Sequence, residues 1–363
     1  HGDPAVPVRP DLCRMSLHAA AKLVADRIRS LGYVEIVAHH DADGIAAASI
    51  LAHAMARTGI RFRLRVRSDI RPGDLAGDAA YLLCDLGAGM EDLPDNTMVV
   101  DHHNPHFRGK YHVNPRLFGI DGDRELSASG TAYLVASKLG DNRDLAGLAL
   151  LGIIGDGQEL SGMNLEIFND GMGNGIVTVG RGIRLAGRDL PEQLLTALTP
   201  VLDGISGNET EVAAITGPAG AGGMYDEKRI LSLCVLAAIR SHNAGCVAAI
   251  YGDTYGLERA VIPDAHSFAA VIDACGKTGH GEIAASLCLR YSRDAAAAWE
   301  MARQHRLKVI DTVRSLAGQE TGAGIYEVAD PVLASDVADA LACHSVTAAP
   351  IAVIACTGDS CRI

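Results

Sequence analysis

The sequence predicts an α/β protein: a parallel sheet with helices on both faces, then a long connector helix and a second, smaller α/β domain. Strand-like and helix-like patterns alternate through the first half, starting with YVEIVAH (33–39) and a helical run at 44–57. This alternation is typical of parallel strands, since each needs a crossover connection before the next. With 363 residues, 48% of them apolar, the chain can bury a large core.

The remaining elements follow from composition and periodicity. RFRLRVR, AAYLLCDL and TMVVDHH are strand-like, and helical patterns dominate from about Ser129 to Leu151, with Ser129 as the predicted N-cap. A glycine-rich stretch, NDGMGNGIVTVGRGIRLAG, follows the helical region, and another, TGPAGAGGMYDEK, predicts a flexible connection. A long helix with an apolar stripe is expected to stop at Gly318, and a strand, helix, strand pattern follows it.

Composition narrows the functional classes without deciding among them. The formal net charge of −12 argues against a wholly basic surface for nucleic acid, although a local basic groove can coexist with it. The nine cysteines are scattered singly, without a CxxC pair, and are expected to be reduced core thiols. No apolar run approaches the roughly 18 residues of a membrane span, and no secretory signal is evident, so we expect a cytoplasmic protein without a membrane partner.

Acidic and histidine side chains follow four apolar segments, which are expected to be strands that end at one edge of the sheet. They are His39, His40, Asp41 and Asp43 after the first segment, Asp85 after YLLC, Asp101, His102 and His103 after MVV, and Asp156 after LALLGIIG. In open parallel sheets, the loops that follow the strands meet in one crevice. Because buried carboxylates are costly unless they are paired or bind a cation, these groups predict a metal site. The alternative, a set of helix caps and turns, does not explain four such segments.

The chemistry of this set matches a centre of two divalent ions about 3.5–4 Å apart, which bind phosphate and acidify a water molecule. Asp85 is the natural carboxylate to bridge the two ions, because Leu86 and Gly87 leave room around it. Mixed carboxylate and imidazole ligands favour Mn²⁺, or Mg²⁺ with fewer imidazoles.

The backbone pattern of the first motif separates its two histidines. Alternation along an extended chain places His39, Asp41 and Asp43 on one side of their segment. His40 then points to the other side, and we expect it, like His106, to be a solvated loop residue.

Four short motifs together resemble the DHH phosphoesterase family and, within it, the RecJ-like nucleases of archaea: HHDADG (39–44), CDLG (84–87), VVDHHNP (99–105) and GDG (155–157). They occur in the order and roughly the spacing that the family uses, and the resemblance covers most of the chain. It implies two sets of metal ligands: His39, Asp41 and Asp85 for one ion, and Asp43, Asp85, His102 and Asp156 for the other. Histidine at position 39, where bacterial RecJ proteins usually have aspartate, resembles the archaeal variant.

The resemblance implies hydrolysis of phosphodiester bonds by metal-activated water, commonly as an exonuclease on single-stranded DNA or RNA. Asp85 and His103 are the expected catalytic residues. His103 would face the scissile phosphate as an electrophilic donor, or else orient a neighbouring ligand. Arg181 and Arg184 are candidate contacts to the nucleic-acid backbone, with a solvated face as the equal alternative.

Two other functions stay open. A phosphodiesterase for short oligonucleotides or cyclic dinucleotides would use the same metals. The aromatic content of 4% weakens a processive nuclease, because no extended stacking platform is evident. The third candidate is a scaffold that docks to replication-complex proteins, akin to the eukaryotic replisome subunit derived from this family, although the retained acids argue against a loss of activity.

The resemblance also divides the chain. It implies a DHH phosphoesterase domain with a helical extension at 1–290, a connector helix at 291–318, and the start of a truncated DHH-associated domain at 319–363. The family's substrate-gripping Gly-Gly-Gly-His loop is then expected to lie beyond the sequence. GKTGHGEIAAS (276–286) has a similar look but precedes the connector helix, so His280 is not the expected gripping residue.

One strand carries an unusual charge pattern. RFRLRVR places Arg61, Arg63, Arg65 and Arg67 on one face of its strand. A charged edge strand, which discourages aggregation, is favoured slightly over a stripe that binds phosphates.

Overall fold

The computed structural model describes residues 15–75, 77–217, 226–239, 244–316, 324–344, 351–357 and 360–362. The chain divides into two compact units. The first comprises His1–Thr178 and Tyr255–Ala298, and the second comprises Val179–Thr254 and Trp299–Ile363. The three domains expected at 1–290, 291–318 and 319–363 stay a prediction.

Thirteen α-helices lie in the described parts of the chain: α1 (Leu17–Arg29), α2 (Ala42–Arg57), α3 (Ala128–Leu139), α4 (Ala146–Gly155), α5 (Gly162–Gly173), α6 (Leu190–Leu195), α7 (Glu209–Thr216), α8 (Glu227–Ile239), α9 (Ala244–Ala248), α10 (Ala265–Lys277), α11 (Gly281–Cys288), α12 (Ala295–Leu316) and α13 (Ala334–His344). None of these helices, over the residues described, is both long and apolar enough to cross a membrane.

Ten strands lie between them: β1 (Tyr33–His39), β2 (Arg61–Arg67), β3 (Tyr81–Cys84), β4 (Met98–Val100), β5 (His112–Val113), β6 (Val177–Ile183), β7 (Tyr251–Leu257), β8 (Ile325–Val328), β9 (Ala352–Thr357) and β10 (Ser360–Arg362). The first five form one sheet in the order β2-β1-β3-β4-β5, and all of its pairs are parallel. Helices flank this sheet, which confirms the predicted α/β class. The arginine-rich β2 lies at the sheet edge, as a charged edge strand requires.

Helix α2 is the central helix of the first unit, and its start is set by the end of β1. The side chain of Asp41 accepts a hydrogen bond from the backbone N–H of Gly44 at 2.9 Å and so caps the helix. A Cβ atom at Gly44 would lie 2.6 Å from Cβ of His39, so the sharp turn from strand to helix needs glycine there. Most of α2 is buried, because alanine allows close packing on all sides.

Two local predictions were wrong. The N-cap of α3 is Ser127, whose Oγ accepts from the N–H of Gly130, whereas Ser129 lies inside the first turn and donates to the carbonyl of Ala149. The run LALLGIIG, expected to be a strand, forms α4, and Asp156 follows a helix. An apolar run that is buried all round has no periodicity that separates strand from helix.

The second unit contains the pattern predicted at the end of the sequence. Strand β8, helix α13 and strand β9 follow one another, β8 and β9 pair in parallel, and β10 pairs with β9 in antiparallel fashion. Helix α12 packs its apolar stripe, including Val309 and Val313, into this core. It ends at Leu316; Gly318 and most of TGPAGAGGMYDEK lie outside the described residues.

The expectation that all cysteines are reduced was wrong for Cys246, Cys343 and Cys356, which are disulfide-bonded. Cys246 in α9 and Cys343 in α13 form a disulfide, with their Cα atoms 5.9 Å apart. They are 97 residues apart in the chain, so only the tertiary fold brings them together. Four other cysteines are free and buried, as predicted: Cys84, Cys234, Cys275 and Cys288.

Candidate metal centre

The candidate centre lies at the carboxyl ends of three neighbouring strands. Because β1, β3 and β4 are adjacent and parallel, the residues that end or follow them, His39, Asp85 and Asp101, lie at one edge of the sheet. Three groups of possible ligand atoms gather there, each within 4.8 Å: His39, Asp41 and Asp85; Asp43, His102 and Asp156; and Asp85, His102 and His103.

Asp85 belongs to two of these groups and has an unusual backbone. Its φ is 61°, in the left-handed region that non-glycine residues rarely adopt. The residue is 2% exposed, and neither carboxylate oxygen has a hydrogen-bond partner among the described residues. One oxygen lies 3.3 Å from Nδ1 of His39, and the other lies 3.3 Å from Nε2 of His102. A strained backbone that holds an unsatisfied carboxylate between two imidazoles is a pattern of functional sites.

The first group is built by the turn from β1 into α2. Nδ1 of His39 donates a hydrogen bond to Asp41 at 2.6 Å. Burial opposes a charge on His39, but the hydrogen bond to Asp41 and the nearby carboxylate of Asp85 raise its pKa to about 10. Burial also disfavours the Asp41 carboxylate, yet the hydrogen bond from His39 keeps the pKa of Asp41 well below its usual range.

Asp43 is held by a helix terminus in the second group. Its two oxygens accept hydrogen bonds from the backbone N–H groups of Ala128 and Ser129, at 2.7 and 2.9 Å, at the start of α3. A Cβ atom at Gly152 would lie only 2.3 Å from one of these oxygens, so α4 approaches Asp43 through glycine. Oδ2 of Asp43 lies 4.0 Å from Nε2 of His102.

His102 is oriented by groups that the sequence did not reveal. Its Nδ1 donates to the carbonyl oxygen of Gly122 at 2.6 Å, which leaves Nε2 as the nitrogen that faces the carboxylates. Nε2 lies 3.7 Å from Oδ2 of Asp156. Gln158 donates to that same oxygen at 2.7 Å and to the Gly122 carbonyl at 2.8 Å. A Cβ atom at Gly122 would lie 2.2 Å from the carbonyl oxygen of His102, so glycine permits this approach.

Asp101 organises the loop that carries both histidines. One of its oxygens accepts hydrogen bonds from the backbone N–H groups of His102 and His103, at 2.7 and 3.1 Å, and from Nδ1 of His103 at 2.8 Å. Its other oxygen accepts from the N–H of Ala88 at 2.9 Å. Burial would raise the pKa of Asp101, but the bonds from His103 hold it well below its usual range. Its position directly before the two histidines was the only sequence signal for this role.

The candidate centre is a buried site in which the carboxylates outnumber the imidazoles. Burial and the charge of Asp41 raise the pKa of Asp85 to about 6, and burial and the charge of Asp43 raise that of Asp156 to about 7. Burial alone would lower the pKa of His102, but the nearby carboxylate of Asp85 helps to raise it to about 11. Divalent cations bound in this site would neutralise the charge of its carboxylates.

The residues present fit divalent cations. Three buried atoms that could bind one, both oxygens of Asp85 and Nε2 of His102, have no hydrogen-bond partner within the described chain. Oxygen-rich donor sets with some imidazole suit Mn²⁺ and, with fewer imidazoles, Mg²⁺. The fold thus brings together all six residues expected as ligands; their role as ligands stays a prediction.

Other predictions fare differently. Asp41 and Asp43 start a helix, so the expected strand-like alternation was wrong beyond His39. The ring of His40 packs edge-on against that of His39, with centroids 4.5 Å apart. His106 is exposed, as expected of a loop residue. His280 is the residue before α11.

Arg181 and Arg184 do not lie in the unit that holds these groups. Both belong to the second unit, on β6 or just after it. The side chain of Arg181 is 71% exposed and approaches Asp253 at 4.0 Å. Their proposed contact with nucleic acid stays a prediction.

No protein-family model matches the chain. An uncharacterized protein of Methanocaldococcus jannaschii is 33% identical over 175 residues, which are 42% of this chain and 40% of that protein. The chain therefore spans less than half the length of this curated relative.

Solved structures similar to the chain include RecJ of Thermus thermophilus in complex with Mn²⁺, with a TM-score of 0.55, 20% identity and coverage of 97% of this chain and 47% of that chain. An exonuclease RecJ bound to manganese has a TM-score of 0.55 at 18% identity, and the match covers 96% of this chain and 81% of that chain. CDC45 from Entamoeba histolytica has a TM-score of 0.63 at 11% identity and covers 95% and 86%. At these identities the likeness concerns the fold alone. The chain has a RecJ-like DHH fold, to which CDC45 is also similar.

Proposed function

We propose that this chain is a metal-dependent phosphoesterase that hydrolyses phosphodiester bonds of single-stranded DNA or RNA, in the manner of a RecJ-like exonuclease. The observation that carries the proposal is the buried carboxylate of Asp85, which has no hydrogen bond among the described residues and lies 3.3 Å from an imidazole nitrogen of both His39 and His102. The similarity of the fold to RecJ structures that contain manganese supports the proposal.

In this proposal two sets of ligands each hold one divalent ion. Mn²⁺ is the expected ion, and Mg²⁺ is the alternative. The ligands are His39, Asp41 and Asp85 for one ion, and Asp43, Asp85, His102 and Asp156 for the other. Divalent ions polarise phosphate oxygens and make water more acidic when bound in such a site. The protein contributes a rigid frame, since Asp43 is fixed by the start of α3 and His102 by the carbonyl of Gly122.

His103 is the proposed donor to the scissile phosphate. Its side chain is 57% exposed, and Nδ1 donates to Asp101, so Nε2 remains for a phosphate oxygen. The hydrogen bond to Asp101 raises the pKa of His103, which favours the positively charged imidazolium. A charged donor stabilises the negative charge that develops on a phosphate group.

A scaffold role among replication-complex proteins is the second candidate. One observation favours it: the chain is similar to CDC45 over 95% of its length. The scaffold alone gives no reason for six converging ligands, so we place hydrolysis first and protein docking as an added role. A preference for short oligonucleotides or cyclic dinucleotides, contacts from Arg181 and Arg184, and a cytoplasmic location also remain predictions.

The deciding experiment is an assay with Mn²⁺ on 5′- and 3′-labelled single-stranded DNA and RNA of about 20 nucleotides, beside dinucleotides. The wild type is compared with Asp85→Asn and with Asp311→Asn, an exposed aspartate of α12 that serves as the matched control. Hydrolysis that is lost only in Asp85→Asn supports the proposal. Cleavage of dinucleotides without cleavage of the longer strands would move the proposal to short substrates, and no hydrolysis with any substrate would favour the scaffold.

A further inference from the structure

A cavity of about 520 Å³ lies at the opposite edge of the same sheet, where β4 and β5 begin. Thr97 directly precedes β4, and Tyr111 directly precedes His112, the first residue of β5. Arg27, from the last turns of α1, forms another part of the wall. Because β4 and β5 are parallel, this edge faces away from the ends that carry the metal ligands.

Three residues that line this cavity carry buried polar atoms without a hydrogen-bond partner in the described part of the chain. His112 is 3% exposed; neither of its ring nitrogens makes a hydrogen bond of ordinary geometry within the described residues, and a contact with the backbone of Phe107 only partly offsets the burial. The hydroxyl of Thr97, which is 7% exposed, and Nε of Arg27 likewise make no hydrogen bond within the described residues. Each unsatisfied buried group costs about 1–3 kcal/mol, so three of them on one cavity indicate a polar ligand or ordered water.

The histidine is suited to a neutral polar group. Burial lowers the pKa of His112 to about 4, so the imidazole is neutral at physiological pH. A neutral imidazole offers one donor and one acceptor. The edge of a nucleobase offers the same combination, whereas a phosphate group offers acceptors only.

Aromatic rings and cations line the same cavity as this histidine. The ring of Phe107 lies 4.7 Å from that of His112 at an interplanar angle of 33°. Nζ of Lys110 lies 5.0 Å from the centroid of the Tyr111 ring, and Cζ of Arg27 lies 5.7 Å from it. Flat rings allow a base to stack, and the cations can pair with a phosphate group.

The charges of the lining are mixed. The cations are Arg27, Arg108 and Lys110, and the acids are Glu91 and Asp95. In a chain of net charge −12, three cations around one cavity favour an anionic ligand. Carboxylates can accept hydrogen bonds from sugar hydroxyl groups, as they do in dinucleotide sites. The volume lies within the range of small-molecule sites, about 300–1,000 Å³.

We infer that this cavity binds a 5′-mononucleotide, with the base against His112 and Thr97 and the phosphate against Lys110 and Arg27. The inference does not rest on the proposed hydrolysis: it holds whether or not the chain cleaves phosphodiesters. The site lies in the first unit, at the edge of the sheet opposite Asp85.

The experiment is calorimetric titration of the whole protein with AMP, GMP, CMP and UMP in turn, with EDTA present so that no cation at the metal centre holds the phosphate. Adenosine and inorganic phosphate are titrated as the two halves of the ligand. Two variants are compared with the wild type: His112→Leu, which removes the ring nitrogens, and Lys110→Gln, which changes an exposed residue and leaves the fold intact. Lys308→Gln, an exposed lysine of α12, is the matched control.

We expect at least one mononucleotide to bind with a Kd below about 1 mM. His112→Leu should weaken binding by about tenfold or more, Lys110→Gln by about threefold, and Lys308→Gln not at all. Equal binding by the wild type and Lys110→Gln would overturn the inference, as would inorganic phosphate that binds as tightly as the nucleotide. Absence of nucleotide binding would mean that water alone fills the cavity.

Discussion

Two histidines of the same sheet, His102 and His112, show how differently burial acts at its two edges. Both are almost fully buried, and both have at least one ring nitrogen without a partner in the described chain. Burial lowers the pKa of both, yet that of His102 is raised to about 11 and that of His112 falls to about 4. The difference comes from neighbouring carboxylates: Asp85, Asp43 and Asp156 surround His102, whereas at His112 the charge of Asp101 and the contact with the Phe107 backbone are too weak to offset burial.

The comparison teaches that an unsatisfied buried group has a meaning only together with the charge around it. Where β1, β3 and β4 end, several carboxylates lie close together and repel one another. A cation bound there would relieve this repulsion. Where β4 and β5 begin, the neutral imidazole of His112 lacks a polar partner among the described residues. A neutral polar group of a ligand could form hydrogen bonds with it. The first arrangement is typical of a metal site and the second of an organic ligand.

The largest expected effect comes from Asp85→Asn. If Asp85 is shared by both groups of ligands, phosphodiester hydrolysis with Mn²⁺ should fall by at least about a hundredfold. Without metal, the variant should be more stable than the wild type at pH 8, because it removes a buried charge whose pKa is raised to about 6. A shift of that size corresponds to about 1–3 kcal/mol. Thermal unfolding in EDTA measures the second effect, and a loss of stability would show that Asp85 is a structural partner of the histidines.

A smaller loss is expected for Asp101→Asn. The amide would place N–H groups against the backbone N–H of Ala88 or of His102, so the loop that carries the histidines would shift. We expect activity to fall by about 10–100-fold. The pH profile should also change, because His103 would lose the hydrogen bond that raises its pKa. Asp92→Asn, in an exposed loop, is the control; an unchanged pH profile would argue against this role of Asp101.

Gly152→Ala tests the packing behind Asp43. The added Cβ atom would lie 2.3 Å from a carboxylate oxygen of Asp43 and from Oγ of Ser129, so one of them must move. Overpacking of this kind costs about 1–3 kcal/mol. Gly173→Ala, at the end of α5, meets nothing within 4 Å and should leave the melting temperature nearly unchanged. Equal melting temperatures for the two variants would mean that α4 can withdraw from Asp43.

The last prediction concerns pH. The carboxyl groups of Asp85 and Asp156 have raised pKa values, about 6 and 7, so the folded chain binds more protons than the unfolded chain between about pH 4 and 7. Its stability without metal should therefore fall as the pH rises through this window. His39 and His102, with pKa values raised to about 10 and 11, contribute stability that is complete below about pH 6.5 and is lost as the pH rises through those values.

A cation that replaces these protons should stabilise the chain more at high pH. We expect Mn²⁺ to raise the melting temperature by several degrees more at pH 8 than at pH 5. Scanning calorimetry with and without EDTA measures the difference. An equal increase at both pH values would indicate that Mn²⁺ binds away from the acidic groups.

Much of the candidate centre could be predicted because its residues follow predictable strands. His39, Asp85 and His102 lie at or just after the ends of apolar runs. This was sufficient to predict that they lie close together, since neighbouring parallel strands end at the same side of a sheet. Asp156 was found despite a wrong assignment of the element before it, because a buried helix can deliver a carboxylate to the same place. Gly122 and Gln158 could not be found, because their contacts with His102 span 20 and 56 residues of chain.

By itself the sequence determined the parallel sheet and the order of the acidic motifs, since both depend on apolar periodicity and on residues adjacent in the chain. Only the tertiary structure decided the left-handed backbone of Asp85, the Cys246–Cys343 disulfide and the cavity around His112. Each of these features depends on contacts between segments that are distant in the chain. The pattern of neighbouring residues in the sequence does not predict such contacts.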